Sequence, residues 1–286
     1  MNQTNDPNSI TGENRNEQNE NVFARVQDYT GQGYALEGGE ETDKIAEAHR
    51  DEVVHAVEKF FREKYKTEVI VHNLVGNIDG VTVFVESVGE PHFYTYAIVP
   101  IDKSQKKINT DAVWSQEGKV EDAIRTGIYN MVFDDKFKNL DDYLTDFTSN
   151  NLVVGKKEDA IANVGGNGFS TPYYYMSISK DAFSEDILSK YLENPQMTKI
   201  EWKEEMKDIK LHPKEIYITL QLFMKEHNAQ PNKEIFNKIS SDIEKLKNIP
   251  SGAYSIYLHD NKIYRSSGIG NKENSLKRGT PNKIIK

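Results

Sequence analysis

The chain contains no cysteine. Disulfides, thiolate nucleophiles, cysteine-based zinc sites and iron–sulfur clusters are therefore excluded. Cysteine avoidance alone does not choose a compartment, because a reducing cytosol and some cell exteriors both tolerate it. Long apolar runs are also missing. None approaches the roughly 20 residues needed to span a bilayer, and Met1-Asn2-Gln3-Thr4 shows neither the basic nor the apolar region of a signal peptide. The expectation is a chain soluble as given. Positive charge is scarce as well: 36 Lys and Arg face 45 Asp and Glu, a net −9. That balance argues against a dedicated nucleic-acid binder, whose phosphate contacts need a dense basic face.

Signature motifs are absent too. There is no Gly-x-Ser-x-Gly elbow. The glycine run Gly165-Gly166-Asn167-Gly168 lacks both the dinucleotide spacing and the Lys-Ser/Thr ending of a phosphate loop, and reads as a turn. Glu52 and His55 stand three apart, and Asp51 and His55 four apart, but no second pair supplies further ligands. The remaining histidines, His72, His92, His212, His227 and His259, are scattered. No metal site and no cofactor are expected. The acidic group Asp134, Asp135, Asp141, Asp142 and Asp146 lacks the order of a calcium loop and reads as helix ends, with Asp141 and Asp142 facing an N-terminal dipole.

What is present begins with an Asn-, Gln-, Glu- and Gly-rich stretch over 1–41. It has little to bury, and eight acids face Arg15 and Arg25, a net −6. Such a segment cannot repay its ordering entropy, so it reads as a disordered tether. The last 21 residues carry five basic groups against Glu273, a net +4, and 269–286 reads as a basic, frayed tail. Between them the hydrophobic fraction of 37%, with 15 Tyr and 12 Phe, suffices for a folded body.

Within that body Ile45, His49, Val53, Ala56, Val57, Phe60 and Phe61 recur at helical spacing, predicting a helix over 42–64 with Thr42 as its cap. β-Branched runs at 68–75 and 81–88 flank an Asp79-Gly80 turn; 93–101 gives a third strand and 108–114 a further one. Helices follow at 120–133 and 140–147. The second half offers a short strand at 172–176 and helices at 181–192 and 200–209. At 216–224 the alternation is nearly unbroken; a helix from Pro231 to about Ile249 and a terminal hairpin of 253–258 with 262–266 complete the pattern. The fold class is α+β: two helix-on-antiparallel-sheet lobes, 42–151 and 152–268, after the disordered leader.

Two sets of side chains invite functional readings. Tyr94, Tyr96, Tyr173, Tyr174 and Tyr175 would form an adhesive recognition surface if their outer rings are exposed, or core if helices cover both sheet faces. Glu86, Glu90 and His92 surround the Gly89 turn, where a carboxylate and an imidazole could serve general acid–base chemistry; the alternative is a solvated turn.

Four blocks are distinctive: 83–100 (VFVESVGEPHFYTYAIVP), 113–118 (VWSQEG), 171–175 (TPYYY) and 252–256 (GAYSI). Together they resemble a family of uncharacterised lipoproteins of staphylococci and related Gram-positive bacteria, a family defined as a domain of unknown function. The resemblance covers 26–286 and names no activity, so it carries over no catalytic residue. It implies a protein anchored at the extracellular face of the cell membrane through a lipidated cysteine. This chain has no cysteine, so membrane contact is expected only through an anchor absent from it. The expected function is binding of an envelope or protein partner from a flexible tether, with an envelope-acting hydrolase built on Glu86, Glu90 and His92 as the alternative.

Overall fold

A computed structural model describes residues 22–286. Strand β1 (Phe23–Arg25) precedes α1 (Glu40–Ala48) and α2 (Arg50–Tyr65). The periodic stretch expected as one helix is thus two, broken at His49, whose backbone (φ −117°, ψ 28°) leaves the helical region. Thr42 is not a cap. Gly39 holds that position, and the buried Thr42 hydroxyl donates to the carbonyls of Gly39 and Asn77, tying α1 to the sheet. On α2, Val53, Ala56, Val57, Phe61 and Tyr65 recur at helical spacing and are buried.

The first sheet runs β2 (Val69–Asn77), β3 (Gly80–Ser87), β4 (Tyr94–Asp102) and β5 (Lys107–Ile108), antiparallel in that order. The hairpin signalled by Asp79-Gly80 forms, but its two-residue loop is Ile78 and Asp79, with Gly80 already in β3 and paired to Asn77. Val81, Val83 and Val85 on β3 turn inward and are essentially unexposed. The register shifts between Val71 and Asn73, leaving His72 as the extra residue of a β-bulge.

Helices α3 (Lys119–Val132) and α4 (Asp134–Asn150) meet at Phe133. The acidic cluster divides differently from expectation. Asp134 opens α4 and binds Lys199 and Lys203 at 2.5 and 2.7 Å, whereas Asp141 lies mid-helix and accepts the Tyr174 hydroxyl at 2.9 Å. It is a packing partner there, not a dipole cap.

The second half contains β6 (Val153–Val154), α5 (Glu158–Val164), β7 (Tyr174–Ile178), α6 (Ile187–Glu193), α7 (Lys199–Glu205), β8 (Ile216–Met224), α8 (Lys233–Lys245), β9 (Ala253–His259), β10 (Lys262–Tyr264), β11 (Leu276–Arg278) and β12 (Ile284–Ile285). Its sheet follows the order β11-β9-β8-β6, with β7 also paired to β8 and β12 to β9. On β8, Ile216, Ile218, Leu220, Leu222 and Met224 face inward as their alternation requires. The pairing of β8 with β9 is parallel, because α8 carries the chain back to the starting edge.

The expected terminal hairpin does not form: β9 and β10 do not pair, and β10 pairs with β1, Phe23 opposite Tyr264. Asn261 makes the corner. Fully buried, it donates through Nδ2 to the carbonyls of Met224 and Lys225 and to Gln27 Oε1. These bonds stabilise a change of direction where a simple turn would have kept the two strands together.

The 1–41 tether is corrected for the residues described, while 1–21 lie outside them. Tyr29 is 1% exposed and donates to the Arg265 carbonyl, Tyr34 packs edge-on to Phe84, and the Thr30 carbonyl accepts from Asn163. A few apolar residues in a polar stretch suffice when distant surfaces wait for them. The frayed 269–286 tail is likewise corrected: β11 and β12 both pair with β9, and Ile284 is 6% exposed. The α+β class holds, and each half supplies its own sheet. A single buried cluster nevertheless runs from Ile45 to Ile284 across the 151/152 boundary, and α5 packs on β2 and β3 of the first sheet.

Candidate functional site

Of the three acid–base suspects, two converge. Glu86 on β3 receives His92 Nε2 on Oε1 and His72 Nε2 on Oε2, each at 2.7 Å. Partial burial raises the carboxyl pKa, but the bonds from His92 and His72 outweigh it and hold Glu86 below the usual glutamate range. Tyr94 lies against the same group: burial, then the Glu86 and Glu158 charges, push its hydroxyl up to about 12. His72 reaches Glu86 from the bulge of β2, which sequence periodicity did not reveal. Glu90 is exposed and turns away, onto a separate polar cleft of about 720 Å³ that also contains Arg62, Lys66 and Lys199. Because each imidazole takes a different oxygen of one carboxylate, the cluster pins β2, β3 and the segment before β4 together. Among the described residues no group of three or more His, Asp or Glu side chains is placed to hold a metal.

The five tyrosines do not share one surface. Tyr94 is buried where the loop after α5 crosses the first sheet; it exchanges backbone hydrogen bonds with Gly168, and a Cβ on Gly166 would come within 2.3 Å of its own Cβ. The glycine run is therefore the close contact between the two halves. Tyr96 donates to Gln116 Oε1 at 2.6 Å. Tyr174 is core, 1% exposed, Tyr173 is half-buried, and Tyr175 is 40% exposed.

Tyr174 and Tyr175 border a site with no sequence signature. A cavity of about 260 Å³ lies between α5, the 170–172 loop, β7, β8 and the 267–269 loop, and Lys156 enters it from the segment after β6. The lysine backbone N–H donates to Pro172 O at 2.8 Å and its Nζ to Gly268 O at 3.1 Å. Among the described residues no carboxylate stands within ion-pair distance of this amine, and burial pushes its pKa from 10.5 down to about 8. Ser170, Thr171, Gln221 and Ser267 add polar groups to the walls, and Ile161, Val164 and Ile269 apolar ones. His259, buried nearby, is held neutral: burial, then the Lys272 and Lys156 charges, lower it to about 3. The arrangement can hold an anion against a desolvated ammonium with hydroxyl and amide groups around it.

On the other side of Tyr175 from the cavity lies a groove of about 560 Å³ on the outward face of the second sheet. Tyr175 and Ser177 of β7, Tyr217 and Thr219 of β8, and Ser255 and Tyr257 of β9 form its floor, and Lys277 and Lys283 its rim. Lys283 Nζ stands 4.1 Å from the Tyr217 ring centroid.

Comparison with known proteins places this architecture. A family model described as a protein of unknown function (DUF1672) matches residues 16–286. The crystal structure of a DUF1672 family protein from Staphylococcus aureus subsp. aureus Mu50 superposes with a TM-score of 0.72 at 20% sequence identity, covering 93% of this chain and 98% of that one. At that identity the likeness is one of fold. No curated protein matches the chain. Carried by a match over nearly its whole length and by a shared fold, the chain belongs to the DUF1672 family.

Proposed function

We propose that the protein is a binding protein whose ligand presents an anionic group to Lys156. The observation behind this reading is the half-buried Lys156, whose ammonium lines a cavity, donates to one carbonyl and, among the described residues, has no carboxylate within ion-pair distance. A buried charge without a partner is costly, and a site that keeps one gains when an anion arrives. Calorimetric titration of acetate, citrate and inorganic phosphate into the protein and into Lys156→Met tests the reading. At least one anion is expected to bind the wild type and to lose tenfold or more in affinity in the variant. No binding by any of them, or equal binding by both proteins, refutes it.

The location proposed is the extracellular face of the cell membrane, with an envelope component as ligand; its support is the resemblance of the sequence blocks around 83–100 and 171–175. Among the described residues no helix is long and apolar enough to cross a membrane. A second reading, hydrolysis of an envelope component, is supported by the convergence of Glu86 with His92 and His72. It predicts that Glu86→Gln abolishes turnover of chromogenic ester or glycoside substrates; absence of any turnover by the wild type refutes it.

A further inference from the structure

The floor of the groove beside the Lys156 cavity is unusual for the open face of a sheet. Its six strand side chains, Tyr175, Ser177, Tyr217, Thr219, Ser255 and Tyr257, are all rings or hydroxyls, with neither an acid nor an aliphatic among them. The Tyr217 hydroxyl is already directed at Glu215 Oε2, 3.4 Å away, and Lys283 Nζ covers one face of its ring, so the floor's open rings are those of Tyr175 and Tyr257. Cavity and groove are neighbours: Tyr175 borders both, and Gln221 of the cavity wall stands in register with Tyr257 of the groove. Positive charge marks the two ends. Lys156 occupies one, and Lys277 and Lys283, neither paired with a carboxylate among the described residues, occupy the other. Arg278 is committed elsewhere, to Glu244 and to the Asn282 carbonyl. From Gln221 to Tyr217 the strand advances about 13 Å, at roughly 3.3 Å per residue.

Resting on the reading of Lys156 as an anion site, we propose that the ligand is an anionic oligosaccharide, one acidic unit seated in the cavity and the following units laid across the hydroxyl- and tyrosine-lined groove toward Lys277 and Lys283. The chemistry fits each part. Hydroxyl groups of the floor exchange hydrogen bonds with ring hydroxyls, the tyrosine rings supply rigid, amphipathic contact area, and the cations meet the acidic substituents. Other polymers fit less well. A peptide adding as a strand needs a free edge, whereas β8 and β9 are paired on both sides. A nucleic acid needs a dense basic surface, which a net charge of −9 does not supply.

Four probes test this, titrated calorimetrically: galacturonic acid, trigalacturonate, fully methyl-esterified trigalacturonate, and tripolyphosphate as an anion lacking rings. Trigalacturonate is expected to bind at least tenfold tighter than the monomer, and the ester to lose that affinity. The double variant Lys277→Ala/Lys283→Ala, at one exposed and one half-buried position and checked for native near-ultraviolet dichroism, is expected to bind the monomer unchanged and to lose the gain of the trimer. Equal binding of monomer and trimer overturns the extension while leaving the cavity reading in place. Ester binding as tight as the acid, or tripolyphosphate binding as tight as the trimer, overturns it as well. Failure of every probe, the monomer included, overturns both.

Discussion

Replacing Lys156 with methionine keeps an unbranched side chain of similar length and deletes the ammonium. Burial lowers that amine from 10.5 to about 8. A lysine whose folded value lies below its unfolded value holds fewer protons when folded, so its charge destabilises the protein below pH 8. Stability then rises with pH from about 8 until the unfolded value near 10.5 is passed. The gap corresponds to at most roughly 3 kcal/mol at neutral pH, reduced because the residue retains some exposure. Loss of the bond to the Gly268 carbonyl opposes it by about 1 kcal/mol. Lys156→Met is therefore expected to be more stable than the wild type by about 1–2 kcal/mol at pH 7 in urea unfolding, with the advantage gone by about pH 11. The same titration governs ligand affinity, which should fall about tenfold per pH unit above pH 8 in the wild type. A variant that is less stable at pH 7, by an amount that does not change with pH, would show that the amine is not desolvated and remove the basis for an anion site. A protein stabilised by losing a residue carries that residue for a reason other than folding.

Three further outcomes follow from the packing. Glu86→Gln loses two charge-assisted bonds to His72 and His92 and should cost about 1–3 kcal/mol at pH 7. Since the folded Glu86 value is depressed, its stabilisation is present above the ordinary 4.5 and is lost as pH falls below it, so wild type and variant should converge in acid unfolding curves. Gly76→Ala places a Cβ 2.1 Å from the Gly39 carbonyl oxygen and 2.4 Å from Asp43 N, backbone atoms that cannot swing aside; a loss of about 3 kcal/mol or more in urea midpoint analysis is expected, and a neutral result would contradict the contact between α1 and β2. Tyr29→Ala empties a position that is 1% exposed and breaks the bond to Arg265, which should cost about 3–5 kcal/mol and open residues 22–34 to rapid amide exchange, whereas unchanged protection would mean the segment is not docked.

Elements that repeat a local period were legible. The alternation of Ile216, Ile218, Leu220, Leu222 and Met224 specifies β8, and Val120, Ile124, Ile128 and Met131 specify α3, because one residue's burial implies that of its neighbours in phase. Choice of partner was not legible. Nothing near Phe23 indicates that it pairs with Tyr264, and nothing near Ala253 says that its strand runs parallel to β8. Glu86 and His92 were accessible as chemistry flanking a turn, but His72 joins them through a bulge that breaks the strand period. Lys156 gave no sign at all. Its character comes from Pro172, Gly268 and the cavity walls, drawn from segments across more than a hundred residues, and a lysine's sequence neighbours do not record which distant surface removes it from water.

The pairing of Phe23–Arg25 with Lys262–Tyr264 has a kinetic consequence. During synthesis the first strand emerges long before its complement exists and must wait, apolar side chains uncovered, while more than two hundred residues are added. The Asn261 corner and the closing strands on β9 come only after it, so everything between β1 and β10 is synthesised with both seams open. A chain truncated anywhere between residues 150 and 260 should therefore recruit holdase chaperones and digest rapidly, however well its helices have formed.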